Sequence, residues 1–110
     1  MGSEMCIRDS NQGAIAFRTR DTGGSETERL RITPGGNVEP GVDNTYNLGS
    51  SSLRWANVYT GDMHLNNMNS GGNEVDGSEG HWTMQEGADD LFLINRNTGK
   101  KYKFNLTEVS

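Results

Sequence analysis

From Lys100 to Leu106 the chain alternates strictly, with Tyr102, Phe104 and Leu106 on one side and Lys101, Lys103 and Asn105 on the other. A side-chain period of two belongs to a strand with one buried face. It is incompatible with an amphipathic helix, whose apolar positions recur every three to four residues. The same period runs through Ala14–Arg20, where Ile15, Phe17 and Thr19 oppose Ala16, Arg18 and Arg20. It returns in Arg29–Thr33, with Leu30 and Ile32 opposing Arg29 and Arg31, and in His81–Glu86, with Trp82, Met84 and Glu86 on one face. Turn residues cut each run short: Asp21-Thr22-Gly23-Gly24-Ser25, Gly87-Ala88-Asp89 and Asn97-Thr98-Gly99. Short alternating runs punctuated by glycine and Asx turns predict an all-β chain.

The pattern divides the chain into four stretches. Residues 1–10 hold no alternating run and are expected to be disordered or artefactual. Residues 11–66 read as an extended, fibre-like β region. Its first two strands form a hairpin with a loop of about eight residues. Pro34-Gly35 and Pro40-Gly41 each suit a type II turn, with proline presetting the first φ and glycine taking the positive second one. Within this region, residues 43–62 predict a compact corner. There Asp43-Asn44 form an Asx turn, Gly49 breaks the strand, and Ser50–Ser52 cap a short helical turn through Trp55. Asn57–Thr60 follow as a strand, and Tyr46, Leu48, Leu53 and Val58 pack under Trp55. Residues 67–80, rich in Gly, Asn and acids, predict a flexible linker. Residues 81–110 predict a C-terminal three-stranded antiparallel meander, with Asp90–Arg96 as the central strand because it is apolar on both faces.

Composition limits how such a chain becomes stable. Hydrophobic residues make up 31% of the 110, below the roughly 45–50% usual in globular domains. Ordering the backbone costs entropy that apolar burial must offset. A thin core points to a core shared between chains, because small scaffolds close this gap by oligomerisation, disulfides or metals. Cys6 is the single cysteine, so an intrachain disulfide is excluded. No apolar window approaches the length of a membrane-spanning helix, so membrane insertion is not expected. The net charge of −5 gives no overall electrostatic footprint for nucleic acid. Arg96, Lys100, Lys101 and Lys103 are expected to protect strand edges.

Reactive constellations are weak. Asp89 and Asp90 are adjacent and suit a turn, whereas a glycosidase pair must face across a cleft. Glu74, Asp76 and Glu79 miss the spacing of a calcium loop. His64 and His81 have no partner at metal-ligand spacing. No cofactor and no catalytic residues are assigned, and the chain is expected not to be an enzyme. The functional candidates are aromatics able to stack on a sugar or a protein surface: Trp82 and Tyr59, with Trp55 read as the structural lid of the corner.

Three patches carry a resemblance. The segment DNTYNLGSSSLRWANVYTGD at 43–62 resembles one that recurs in bacteriophage fibres and tail-associated proteins. Glu28–Thr33 followed by Gly36-Asn37-Val38 resembles tail-fibre and tail-spike segments. Trp82–Glu86 through Lys100–Phe104 resembles the C-terminal ending of marine phage, cyanophage-like structural proteins. The resemblance implies the C-terminal fragment of a tail-fibre-like virion component, located in the tail and assembled in the host cytoplasm. It further implies a homotrimer, upstream fibre or tail partners, and contact with a host-surface glycan or protein. Fibre tips of this kind can bind metal through a His-x-His pair. Here Asn66 replaces the second histidine, leaving His64 to act only by threefold repetition. Met5–Ser10 resembles a translated sequencing-adapter remnant. Two rival readings fit the same composition: an extracellular bacterial adhesin or secreted β-repeat module, and the non-catalytic end of a depolymerase tail spike.

Overall fold

A computed structural model describes residues 6–9 and 13–110. Among them there is no helix. The chain is all-β, with eight strands in two antiparallel four-stranded sheets. It forms two compact units that divide between Arg54 and Trp55.

The first sheet runs in the order β1 (Cys6–Asp9), β2 (Ile15–Arg20), β3 (Glu26–Ile32), β4 (Val38–Pro40). Part of the 1–10 stretch lies outside the described residues. Within it, Cys6–Asp9 pairs with Ile15–Arg18 as an edge strand, where disorder was expected. The predicted β2–β3 hairpin is present, but its loop is Asp21–Ser25. Asp21 closes it, its Oδ1 accepting from the Gly23 and Ser25 amides at 2.9 and 3.1 Å. A register shift after Phe17 leaves Arg29 without a cross-strand partner. A bulge of this kind re-aims a side chain. Arg29 consequently does not join Arg31 on the outer face. Its Nε donates to Thr19 Oγ1 at 2.8 Å and its Nη1 to the Tyr46 hydroxyl at 2.9 Å. On the other face Glu28 takes a paired contact from Arg31, at 2.8 and 2.9 Å, and these bonds lower its pKa.

Both Pro-Gly turns depart from type II. At the first, Gly36 donates to the Thr33 carbonyl and takes φ +95°, while Gly35 does not. At the second, Pro40 ends edge strand β4, a position without need of its missing N–H. A Cβ on Gly41 would lie 2.0 Å from the Glu28 carbonyl oxygen, so the glycine there permits backbone contact rather than a positive φ.

The second sheet has the order β5 (Met63–Asn66), β6 (His81–Glu86), β7 (Leu91–Asn95), β8 (Lys101–Lys103). It contains one strand more than the predicted meander, because Met63–Asn66 pairs with His81–Met84 instead of belonging to a fibre-like region ending at 66. Residues 67–80 are therefore a hairpin loop between paired strands, not a linker between domains. The Asn67 N–H donates to the Gly80 carbonyl at 3.1 Å, and the Gly80 N–H to Asn67 Oδ1 at 2.6 Å. Central strand β7 is flanked on both sides, as its two apolar faces predict. Gly99 takes φ +79° in the β7–β8 turn, where Asn95 Oδ1 accepts from the Asn97 and Thr98 amides. Strand β8 is shorter than the alternating run, and beyond it the Phe104 amide still reaches the Leu91 carbonyl at 3.0 Å.

The core is as thin as composition predicts. The buried apolar residues among those described are Ala14, Ala16 and Ile94, and Thr83 is fully buried.

Candidate interaction surface

Cross-strand partners in an antiparallel sheet share a face. The pairs Met63–Met84, Leu65–Trp82, Met84–Leu93, Glu86–Leu91 and Leu93–Tyr102 therefore place seven apolar side chains on one side of the second sheet. Trp82 and Tyr102 reach across β7 on this side, their ring centroids 5.8 Å apart at 40°. Met63, Leu65, Leu91 and Tyr102 remain exposed around them. Sequence periodicity identified the β6 and β8 members of this face. Met63 and Leu65 join this face through the pairing of β5 with β6.

The opposite side holds Thr83, the buried polar residue among those described, bonded to the exposed side chains of His64 and Arg96. Arg96 Nε donates to Thr83 Oγ1 at 2.9 Å, and Thr83 Oγ1 lies 3.0 Å from His64 Nδ1. A hydroxyl accepting from the guanidinium has its own proton left for the imidazole nitrogen, so the contact favours the His64 tautomer with an unprotonated Nδ1. Neither histidine signalled this bond in the sequence, because the partners stand 19 and 13 residues from each other. Thr83→Val removes the acceptor while preserving shape. The expected loss is about 0.5–1.5 kcal/mol, the net worth of a hydrogen bond, since the exposed Arg96 guanidinium can turn to water when Thr83 no longer accepts from it. Chemical denaturation followed by fluorescence measures it.

The corner expected at 43–62 is not built as predicted. No strand forms at Asn57–Thr60 and no helical turn at Leu53–Trp55. The local capping is real: the Leu53 amide donates to Ser50 Oγ at 3.0 Å, Thr45 Oγ1 to the Asp43 carbonyl at 2.9 Å, and Thr60 Oγ1 to the Asp62 carbonyl at 2.9 Å. Gly49 takes φ +89° within a bend, but no strand directly precedes it for it to break. The side chains do not converge on a buried lid. Trp55 is 63% exposed, Val58 63%, Leu48 78%, Leu53 79% and Tyr59 92%. Tyr46 is half-buried instead beneath Arg29, whose guanidinium carbon sits 5.1 Å from the ring centroid. Glycine and three successive serines offer the backbone side-chain hydrogen bonds that compete with a helix.

An open cleft of about 480 Å³ lies between the 67–80 loop and the end of the second sheet, lined among others by Leu65, Asn67, Asn73, Glu79 and Trp82. Asn73 and Asp76 shape the loop. Asn73 Oδ1 accepts from the Val75 and Asp76 amides at 2.7 and 2.9 Å. Asp76 Oδ1 accepts from the Ser78 amide and hydroxyl at 3.0 and 2.7 Å, and from Asn73 Nδ2 at 2.8 Å. These bonds to Ser78 and Asn73 hold the Asp76 carboxyl down to about 2. Its folded value lies below the unfolded one, so its contribution to stability is complete above the unfolded value of about 4 and is lost as pH falls. That loss is centred on a pH of about 2. A carboxyl-carbon NMR titration is expected to show this low midpoint, and an ordinary aspartate midpoint would refute the loop geometry.

Glu74, Asp76 and Glu79 do not converge: among the described residues no group of three or more His, Cys, Asp or Glu is placed to hold a metal ion. Asp89 and Asp90 line a shallow surface hollow together with Lys103. No helix among the described residues is long and apolar enough to cross a membrane. Neither a protein family, a curated protein nor a solved structure matches the chain.

Proposed function

We propose that this chain is the C-terminal part of a tail-fibre-like virion structural protein. In this reading it has no enzymatic activity of its own, assembles as a homotrimer and contributes to attachment at the host surface. One observation carries the reading. The segment that bears the resemblance, 43–62, presents Leu48, Leu53, Trp55, Val58 and Tyr59 to solvent, each at least 63% exposed. Capping and turn bonds shape its backbone at three points. A shaped segment with five large apolar side chains outward is suited to being covered, because extended exposed apolar surface marks interaction sites. In a fibre, neighbouring copies and adjoining tail parts provide that cover. Tyr59 is the most accessible aromatic for a host glycan or protein, through ring stacking.

The reading is tested by where the protein resides. Trypsin releases Ile32–Arg54, a peptide that contains the first half of the segment. Mass spectrometry of purified virus particles and of cell-surface and secreted fractions from the same culture should find this peptide with the particles. Recovery from the cell surface or the secreted fraction alone would transfer the chain to the adhesins.

A further inference from the structure

We propose that the cleft between the 67–80 loop and the end of the second sheet binds a neutral sugar ring, with Trp82, Asn66 and Glu79 as its contacts. This site gives the attachment reading its ligand class, and rests on that reading for the source of the sugar. The cleft lies within the second unit and measures about 480 Å³, within the size range of small-ligand sites. Bonds internal to the loop fix its wall. Asn73 uses both ends of its amide there, Oδ1 on the Val75 and Asp76 amides and Nδ2 on Asp76 and Ser78. Asn67 does the same with the Gly80 amide and the Ser78 carbonyl.

Three other lining residues each keep one polar group for a ligand. Asn66 Oδ1 accepts from the Met68 amide at 2.9 Å. A backbone N–H can only donate, so this bond orients the side-chain amide and leaves Nδ2, a donor, unbonded. Glu79 Oε2 accepts from the Gly71 amide at 3.2 Å, which leaves Oε1, an acceptor. The Trp82 indole lies with its nitrogen edge against Gly80, where a Cβ would be 3.2 Å from Nε1. That N–H is a donor with no bonded partner among the described residues. The mixture selects the ligand. Among the described residues lining the cleft there is no lysine or arginine, and the one carboxylate, Glu79, repels an anion. An organic cation would satisfy Glu79 but has no lone pair for the Asn66 and Trp82 donors. A hydrocarbon would strip water from all three groups without replacing its bonds. A hydroxyl both donates and accepts. The hydroxyls of a sugar ring can therefore serve Glu79 and the two donors together, while its C–H face lies on the apolar surface of Trp82 and Leu65.

NMR titration of the full chain, read at the Trp82 indole N–H, tests this. A Trp55→Phe chain assigns that signal, since the sequence has these two tryptophans. The probes are the methyl glycosides of glucose, galactose and mannose, with choline and inorganic phosphate as charged comparisons. At least one glycoside is expected to move the signal with millimolar affinity, the weak end of specific binding, while choline and phosphate leave it in place. Glu79→Gln keeps an acceptor for the Gly71 amide but puts a donor in place of Oε1. It is expected to weaken the glycoside about tenfold, the scale of a hydrogen bond to a charged group. Asn66→Asp keeps the acceptor for the Met68 amide and removes the donor, with an expected loss of roughly fivefold. Tyr59→Ala is expected to change nothing. No response to any glycoside overturns the proposal, as does a response to choline or phosphate alone. Undiminished affinity in both Glu79→Gln and Asn66→Asp overturns it too, and a loss confined to Tyr59→Ala would move the sugar to the 43–62 segment. Dextran, galactan and mannan carry the same sugars on polymers. A response to polymer and glycoside together supports a sugar borne on a surface glycan, whereas a response to the glycoside alone keeps the site and overturns its part in attachment. Absence of the tryptic peptide from virus particles would remove the virion reading and leave the sugar site standing.

Discussion

Ile94→Ala is expected to cost about 2–5 kcal/mol, the range for truncating a buried isoleucine to alanine. Ile94 is 8% exposed and sits on the central strand of its sheet, between Thr83 on β6 and Lys101 on β8. Among the described residues its side chain is the largest buried apolar group, the others being the methyl groups of Ala14 and Ala16. In a chain with so little core, one isoleucine carries a disproportionate share of the cohesion. The cavity left by truncation also lies beside the Thr83–Arg96 hydrogen bond, opening it to water. Val75→Ala provides the contrast: Val75 is 95% exposed, and its truncation is expected to stay within about 0.5 kcal/mol. Urea unfolding at one fixed protein concentration, in a Trp55→Phe background that leaves Trp82 as the fluorescent reporter, measures both. The concentration must be held because self-association would add to apparent stability. A loss below about 1 kcal/mol for Ile94→Ala would remove Ile94 from the core.

The strands were legible where a residue's facing follows from its own neighbours. Alternation put Ile15, Phe17, Leu30 and Ile32 on one face and Trp82 and Met84 on another as the pairing has them, but not which face is buried: Ala14 and Ala16 are buried on the side opposite Phe17, while Leu30 and Tyr102 are exposed. The apolar run at Asp90–Arg96 identified the central strand. Arg29 was misread because the bulge beside it is a property of two strands in register and not of either alone. Met63–Asn66 was assigned to the wrong unit for a related reason. The glycine-rich 67–80 stretch resembles a linker by composition, yet its asparagines and serine satisfy one another across a closed loop. At 43–62 the Ser50 cap was legible, but the corner it was to serve was not. Capping residues state how a backbone bends; they do not state whether a large side chain such as Trp55 turns inward. In a chain this poor in apolar residues, the default that tryptophan is buried fails: Trp55 is 63% exposed.

The same distinction between a bend and a contact governs the second large effect. Gly72→Ala is expected to open the 67–80 loop and destabilise the second sheet by about 3 kcal/mol or more, combining a left-handed φ with a backbone clash. Gly72 takes φ +93°, and a Cβ built there would lie 2.0 Å from the Gly77 carbonyl oxygen and 2.6 Å from its carbon. The obstacle is backbone, so no side-chain rotation can relieve it, and the loop must part where the Asn73 amide meets the Ser78 carbonyl at 3.0 Å. Gly99→Ala separates the two causes. Gly99 also takes a positive φ, +79°, but a Cβ there meets nothing within 4 Å. Its substitution should cost only the conformational term of about 1 kcal/mol. The Asp76 titration reads the outcome directly. Once the loop parts, Asp76 loses the Ser78 and Asn73 bonds that hold its carboxyl at about 2, and its midpoint is expected to rise to the ordinary aspartate value in Gly72→Ala while staying low in Gly99→Ala. Equal losses of stability in the two variants, with Asp76 unmoved, would mean that the Gly72–Gly77 contact does not close the loop.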